Sequence, residues 1–146
     1  VSNFEAGDLM WLELGGRRLS GAVVLGRHPK VDVAIVTVRS DTAIPVVQLR
    51  TTALKFGERV VVSGFQNIHA GCWLTEGLAS TPSRVSAPVW PGGSGSPVLD
   101  SRGLCAGVII GVGHDSRGPQ SVLIPHQGVL VPTFAFAEWL QAILWE

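Results

Sequence analysis

Glycine and proline punctuate this chain so often that long helices have little room. Eighteen glycines and nine prolines are spread over 146 residues, and between them lie short runs rich in Val, Ile and Leu. Such runs, bounded by turn formers, read as strands. "DLMWLEL" (residues 8–14) alternates loosely, "GGRR" supplies a hairpin turn, and "LSGAVVLG" (19–26) returns. "RHPK" turns around Pro29 into "VDVAIVTV" (31–38), and "IPVVQL" and "ERVVVSGF" follow. After a connection at about residues 40–57 come "GCWLTEGLAS", "APVW", "SPVLD", "GLCAGVIIGV" and "QSVLIP". Strands this closely spaced, without helices between them, predict an all-β barrel or sandwich. The tail alone departs. Thr133 can cap a helix, and Phe136, Leu140, Ile143 and Leu144 follow at helical spacing.

Composition narrows the class. Hydrophobic residues make up 46% and charged residues 15%, the balance of a folded globule rather than a disordered chain. Eleven basic residues meet eleven acidic ones with no basic run, which argues against a nucleic-acid partner. No apolar stretch is long enough to span a bilayer, so no membrane span is expected. The opening "VSNFEAGDLM" lacks the layout of a signal peptide, and a start on Val1 reads as a processed or trimmed piece of a longer product. Cys72 and Cys105 allow one disulfide or two free thiols.

"WPGGSGSP" (residues 90–97) carries the chemistry. A nucleophilic serine needs an exposed Oγ, a base, and donors for the oxyanion. Glycines around Ser94 let successive N–H groups converge, and the N–H groups of Gly92 and Ser94 could form that pair. An ordinary Gly/Ser loop gives the same local signal. The wider stretch "GGSGSPVLDSRGLCAGVIIG" resembles the nucleophile segment of chymotrypsin-fold serine proteases, with Gly92, Ser94, Gly95, Pro97, Gly103 and Gly107 in matching places. Gly93 departs from the acidic residue many secreted digestive members carry. The resemblance therefore implies that trypsin-type activation by a new N-terminus is absent.

Asp32 opens an apolar run, where a charge needs a partner or a solvent-facing strand end. "VVLGRHPKVDVAIVTV" is similar to the segment of HtrA/Deg-like proteases in which a Gly-Arg-x-Pro turn precedes Asp-x-Ala, and Asp32 and Ala34 match it. "ALKFGERVVVSGF" resembles that family's link into its second barrel. The resemblance implies a double β-barrel with an incomplete first barrel. Residues 1–50 would be the remainder of that barrel, carrying Asp32. Residues 51–146 would be the second, carrying Ser94, with a C-terminal helix from about residue 133. It further implies a serine endopeptidase acting on peptide or protein substrates without metal or organic cofactor, with Ser94 and Asp32 catalytic and Gly92 and Ser94 as the oxyanion donors. Trp90, Ile109, Ile110 and Gly111 would be substrate-binding. The pocket would fall near residues 87–90 and 109–112, with "VLIPH" behind. Neither "APVW" nor "GVIIGV" is charged, which favours an uncharged P1 side chain.

The base is the difficulty. The family order is His, Asp, Ser. Of His28, His69, His114 and His126, only His28 precedes Asp32, and it occupies a variable turn position that reads as surface. Counting back along the resemblance places the catalytic histidine just upstream of Val1, on a complementary N-terminal segment. Otherwise the chain is a pseudoprotease that keeps the fold for binding, or a later histidine serves. Asp32, His69 and Ser94 follow the subtilisin order, but that fold needs alternating helices and strands. Ser94, Asp115 and His126 follow the α/β-hydrolase order, but Ser96 replaces the last glycine of Gly-x-Ser-x-Gly. His69 with Cys72 is too sparse for a zinc site. His114 and Asp115 read as a solvated loop, with substrate contact as the alternative. Cys105 reads as core.

Overall fold

Residues 4–14, 17–41, 43–65, 71–90, 92–115 and 122–145 are described by the structure, a computed structural model. Their regular structure is mostly antiparallel strands, as the spacing of glycine and proline predicts. The chain divides into two compact units, residues 1–46 with 136–146, and residues 47–135.

In the first unit, strands β1 (Leu9–Leu14), β2 (Arg17–Arg27) and β3 (Ala34–Thr37) form an antiparallel sheet in that order. Ala22 and Val24 of β2, two residues apart and so on one face, are fully buried. The "GG" of the expected β1–β2 turn lies outside the described residues. Strand β3 starts later than the apolar run suggests. The N–H of His28 donates to the Val33 carbonyl and that of Val33 to the Val31 carbonyl, each at 2.8 Å. Residues 28–33 are thereby closed into a loop, and Asp32 sits in it, exposed, two residues ahead of the strand. Helix α1 (Ala137–Leu144) belongs to this unit and packs on the end of β2. A Cβ added to Gly26 would stand 3.3 Å from Ile143 and 3.7 Å from Trp139.

The second unit is a closed barrel. Its strands are β4 (Arg59–Phe65), β5 (Cys72–Thr81), β6 (Arg84–Val85), β7 (Pro97–Asp100), β8 (Cys105–Asp115) and β9 (Val122–Pro132), joined in the order β4-β5-β6-β9-β8-β7. Closure leaves no free edge. Period-two alternation on β4 turns Val60 and Val62 inward, where they meet Val85, Val89, Val98, Ile109 and Leu130. Cys105 is buried as expected; its Sγ donates to the Gly107 carbonyl, and burial pushes the thiol up from its ordinary value. Both cysteines are free.

Three local expectations fail for identifiable reasons. "IPVVQL" makes one bridge, Leu49 to Cys105, instead of a strand. Val46 is 90% exposed, so the segment has no apolar face to bury. "APVW" is not a strand either. Pro88 has no N–H to give, and its carbonyl is held by the Thr75 hydroxyl at 2.8 Å. Thr133 does not cap the helix. It starts a short 3-10 turn (Thr133–Ala135), its buried hydroxyl donates to the carbonyls of Arg50 and Ala106, and Phe136 stands at the helix N-cap without a side-chain bond.

The segment entering the barrel is tied down by a buried charge. Arg50 is 6% exposed, and its guanidinium grips Glu58 with two bonds of 2.6 and 2.8 Å. Its remaining donors reach the Ala53 carbonyl, Thr52 and, at 3.3 Å, Asp100. Burial pushes the Asp100 carboxyl up, but the N–H groups of Leu104 and Arg102 and the Arg102 guanidinium outweigh it, leaving it below the ordinary value. The bonds from Arg50, followed by the Lys55 N–H, hold Glu58 at about 2. A depressed carboxyl stabilises the fold above its unfolded value and loses that contribution as pH falls towards 2. Glu58→Gln should therefore lower the urea unfolding free energy at neutral pH by about 2 kcal/mol and flatten the loss between pH 4.5 and 2. An unchanged acid slope in the variant would assign that slope to other carboxylates.

Candidate active site

Ser94 stands on a turn whose backbone requires two glycines. Gly92 and Gly95 both have φ of +92°, where a Cβ would be strained. The Gly93 N–H donates to the Trp90 carbonyl at 3.0 Å. Next, the Gly95 N–H donates to the Ile109 carbonyl and the Ile109 N–H to the Ser96 carbonyl, both at 2.8 Å. These bonds stitch the turn to β8. The N–H groups of Gly93, Gly95 and Ser96 are thus committed. Among the described residues, those of Gly92 and Ser94 meet no carbonyl of the turn, and they are the pair singled out from the sequence.

The Ser94 side chain is exposed. Its hydroxyl donates to the Ile110 carbonyl at 3.4 Å, an acceptor that cannot take the proton. Ser94 and Gly92 border a cavity of about 280 Å³ walled by Val89, Trp90, Ile109, Gly111 and Val112, with His114 at one side. Four of the residues marked out by the sequence, Trp90, Gly92, Ile109 and Gly111, therefore line one space with Ser94. Ile110 contributes its carbonyl to Ser94. A Cβ on Gly111 would meet nothing within 4 Å, so the glycine widens the cavity. Apart from His114 the lining carries no ionisable side chain. His114 is exposed on strand β8, paired with Leu123, rather than in a loop.

Beneath the turn lies a residue that sequence reasoning passed over. The indole of Trp73, from β5, packs edge-on against Trp90 with ring centroids 5.5 Å apart. A Cβ on Gly93 would stand 3.1 Å from this indole and 3.0 Å from the Trp90 carbonyl. Trp73 therefore fills the space into which a side chain at position 93 would grow, which accounts for glycine where digestive proteases carry an acid. Gly64 of β4 is bare for a related reason, since its Cβ would run into the Ser96 hydroxyl. Trp73 Nε1 is buried with no hydrogen-bond partner among the described residues. No local signal marks Trp73 in the sequence, because it reaches Ser94 only through closure of the barrel.

Asp32 belongs to the other unit, in the loop 28–33. In that loop His28 is not a plain surface residue. It is half-buried and packs edge-on against Trp139 with centroids 5.1 Å apart. His69, one member of the weak His69–Cys72 pair, lies outside the described residues. Cys72 is exposed, 3.5 Å from the Ser63 hydroxyl. Among the described residues no cluster of three or more metal-ligating side chains occurs, and no helix is long and apolar enough to cross a membrane.

Comparison with known proteins bears on the family and the fold. Residues 5–108 match the family described as trypsin-like peptidase domain. Among solved structures, the HtrA-type protease AlgW with decapeptide is similar at a TM-score of 0.75 and 23% identity, over 95% of this chain and 45% of that one. A variant of that protease, also with decapeptide, gives 0.74 and 22%, over 95% and 44%. The chain thus spans less than half the length of these proteins, and at this identity the likeness concerns the fold. No curated protein matches the sequence.

Proposed function

The chain belongs to the trypsin-like peptidase domain family, and from that premise we propose that it forms the serine-bearing part of an endopeptidase that cleaves peptide bonds through an acyl-enzyme. The observation that carries this reading is the Ser94 turn. An exposed hydroxyl, and two N–H groups that meet no carbonyl of the turn among the described residues, border an apolar cavity.

In the proposed reaction Ser94 Oγ attacks the substrate carbonyl while a histidine takes its proton. The N–H groups of Gly92 and Ser94 hold the resulting oxyanion. The histidine returns the proton to the leaving amine, and water then releases the acyl group by the same route. Asp32 holds the histidine in the productive tautomer. We assign the histidine to a segment outside these 146 residues. His28 has its Nδ1 engaged within its own loop, and His126 borders a different groove with Arg84 and Gln127. The P1 side chain enters the cavity between Trp90 and Gly111. Its walls favour an uncharged residue. No metal or organic cofactor enters this chemistry.

The test is fluorophosphonate labelling of the full-length product, with the modified peptide located by mass spectrometry, alongside hydrolysis of peptides that differ at P1. Labelling at Ser94 and cleavage after apolar residues are expected. Cleavage confined to sites after Lys or Arg would overturn the pocket assignment. Absence of both labelling and hydrolysis would favour the second reading, a protease-fold binding module without activity. The bond from Ser94 to the Ile110 carbonyl is the observation on that side.

A further inference from the structure

The loop that carries Asp32 is held by a side chain that no role above uses. His28 Nδ1 accepts hydrogen bonds from the backbone N–H groups of Lys30 and Val31, both at 3.1 Å. With Nδ1 as acceptor, the neutral ring carries its proton on Nε2. Together with the bonds from the His28 N–H to the Val33 carbonyl and from the Val33 N–H to the Val31 carbonyl, this engages four backbone N–H groups of a six-residue loop. The imidazole is itself set by Trp139 of α1, packed edge-on at 75°. The same helix closes on Gly26 through Ile143 and Trp139. A chain of contacts therefore runs from the C-terminal helix through one imidazole to the loop that presents Asp32.

We propose that His28 is a positioning residue for Asp32: its Nδ1 holds the loop 28–33 in shape, and Trp139 of the C-terminal helix holds His28. The inference rests on the reading of Asp32 as the residue that orients the general base. An orienting carboxylate must be held to a fraction of an ångström, and exposed loop backbone does not supply that unaided. The two bonds to Nδ1 supply it locally. The helix contact makes the loop geometry depend on the C-terminal end of the domain.

The test uses the full-length product and three variants. His28→Phe keeps a ring against Trp139 but has no acceptor, His28→Asn keeps an acceptor without the ring, and Trp139→Ala removes the clamp. NMR should show the Lys30 and Val31 amides exchanging with solvent several-fold faster in His28→Phe, with substantial recovery in His28→Asn. In the same variant kcat should fall about tenfold at unchanged KM. The acid limb of the kcat/KM profile should move to lower pH, because a displaced carboxylate supports the catalytic imidazolium less. Trp139→Ala should reproduce these changes in weaker form. A purely structural role would lower the melting temperature without moving the acid limb. Wild-type amide exchange in His28→Phe overturns the inference whatever the activity shows. If Asp32→Asn is inactive while His28→Phe keeps wild-type kcat and acid limb, the inference alone fails. If Asp32→Asn is fully active, the reading of Asp32 fails and this inference with it.

Discussion

Ser94→Ala in the full-length product should abolish fluorophosphonate labelling and lower kcat by about a million-fold, with KM little changed. The size follows from the chemistry assigned to one atom. Without Oγ there is no acyl-enzyme, and what remains is the modest help given by the oxyanion donors and by binding. The fold should be untouched, because Ser94 is exposed and its hydroxyl makes a single long bond to the Ile110 carbonyl. Ser96, two residues on, provides the contrast. It is buried, and its hydroxyl lies where Gly64 leaves space. Ser96→Ala should leave a labelled enzyme with at most a small loss of stability. If Ser94→Ala retained labelling, the nucleophile would be another residue and the proposed mechanism would be wrong. If His114→Ala abolished labelling as completely as Ser94→Ala, the base would lie inside these 146 residues and the assignment to a separate segment would fall.

The Ser94 turn and the Asp32 loop differ in how openly the sequence displayed them. The Ser94 turn was legible because its constraint is local. Positive φ at Gly92 and Gly95 is a property of those two residues, and the resulting pattern of glycines can be read along the chain. The strands were legible for a similar reason, since alternation on β4 directly gives its buried face. What escaped was whatever depends on residues brought together from a distance. Trp73 meets the Ser94 turn through barrel closure, and its only sequence correlate is the absence of a side chain at Gly93, which looked like a departure from a family pattern. His28 looked like a surface residue because its partners are two amides of its own loop and an indole more than a hundred residues away. Thr133 carries the composition of a helix cap, yet carbonyls at Arg50 and Ala106 claim its hydroxyl first. In each case tertiary satisfaction of a polar group or a void overrode a correct local propensity.

The closed barrel and its entry segment also brace the serine turn. Arg50 joins the entry segment to Glu58 and Asp100, and Asp100 ends the strand that Ser94 and Pro97 lead into. The other flank of the turn is fastened to β8 through the carbonyls of Ser96 and Ile109. Trp73 and Trp90 fill the space below it. A turn braced on three sides is held in shape before any substrate arrives, which is what the proposed oxyanion donors need in order to act without reorganisation at the moment of reaction.

Asp32→Asn should lower kcat/KM by about ten-thousand-fold while leaving the melting temperature near that of the wild type. Asp32 is exposed in the loop 28–33, which the Val33 and His28 backbone bonds and the His28 ring help to close. The amide of asparagine matches the carboxylate in size, so the loop keeps its shape. But an amide can donate where the carboxylate could only accept, which favours the wrong tautomer of the base, and it cannot support the imidazolium formed as Ser94 attacks. The loss should therefore fall in kcat, and labelling of Ser94 should slow by a similar factor without disappearing, because the nucleophile and oxyanion donors remain. Asp32→Ala should lose as much activity, separating the missing charge from a misplaced amide. A loss below tenfold in Asp32→Asn, with Ser94→Ala inactive, would mean that another carboxylate orients the base. The ion-paired Glu58 and Asp100 could not readily fill that place, since both are bound to Arg50.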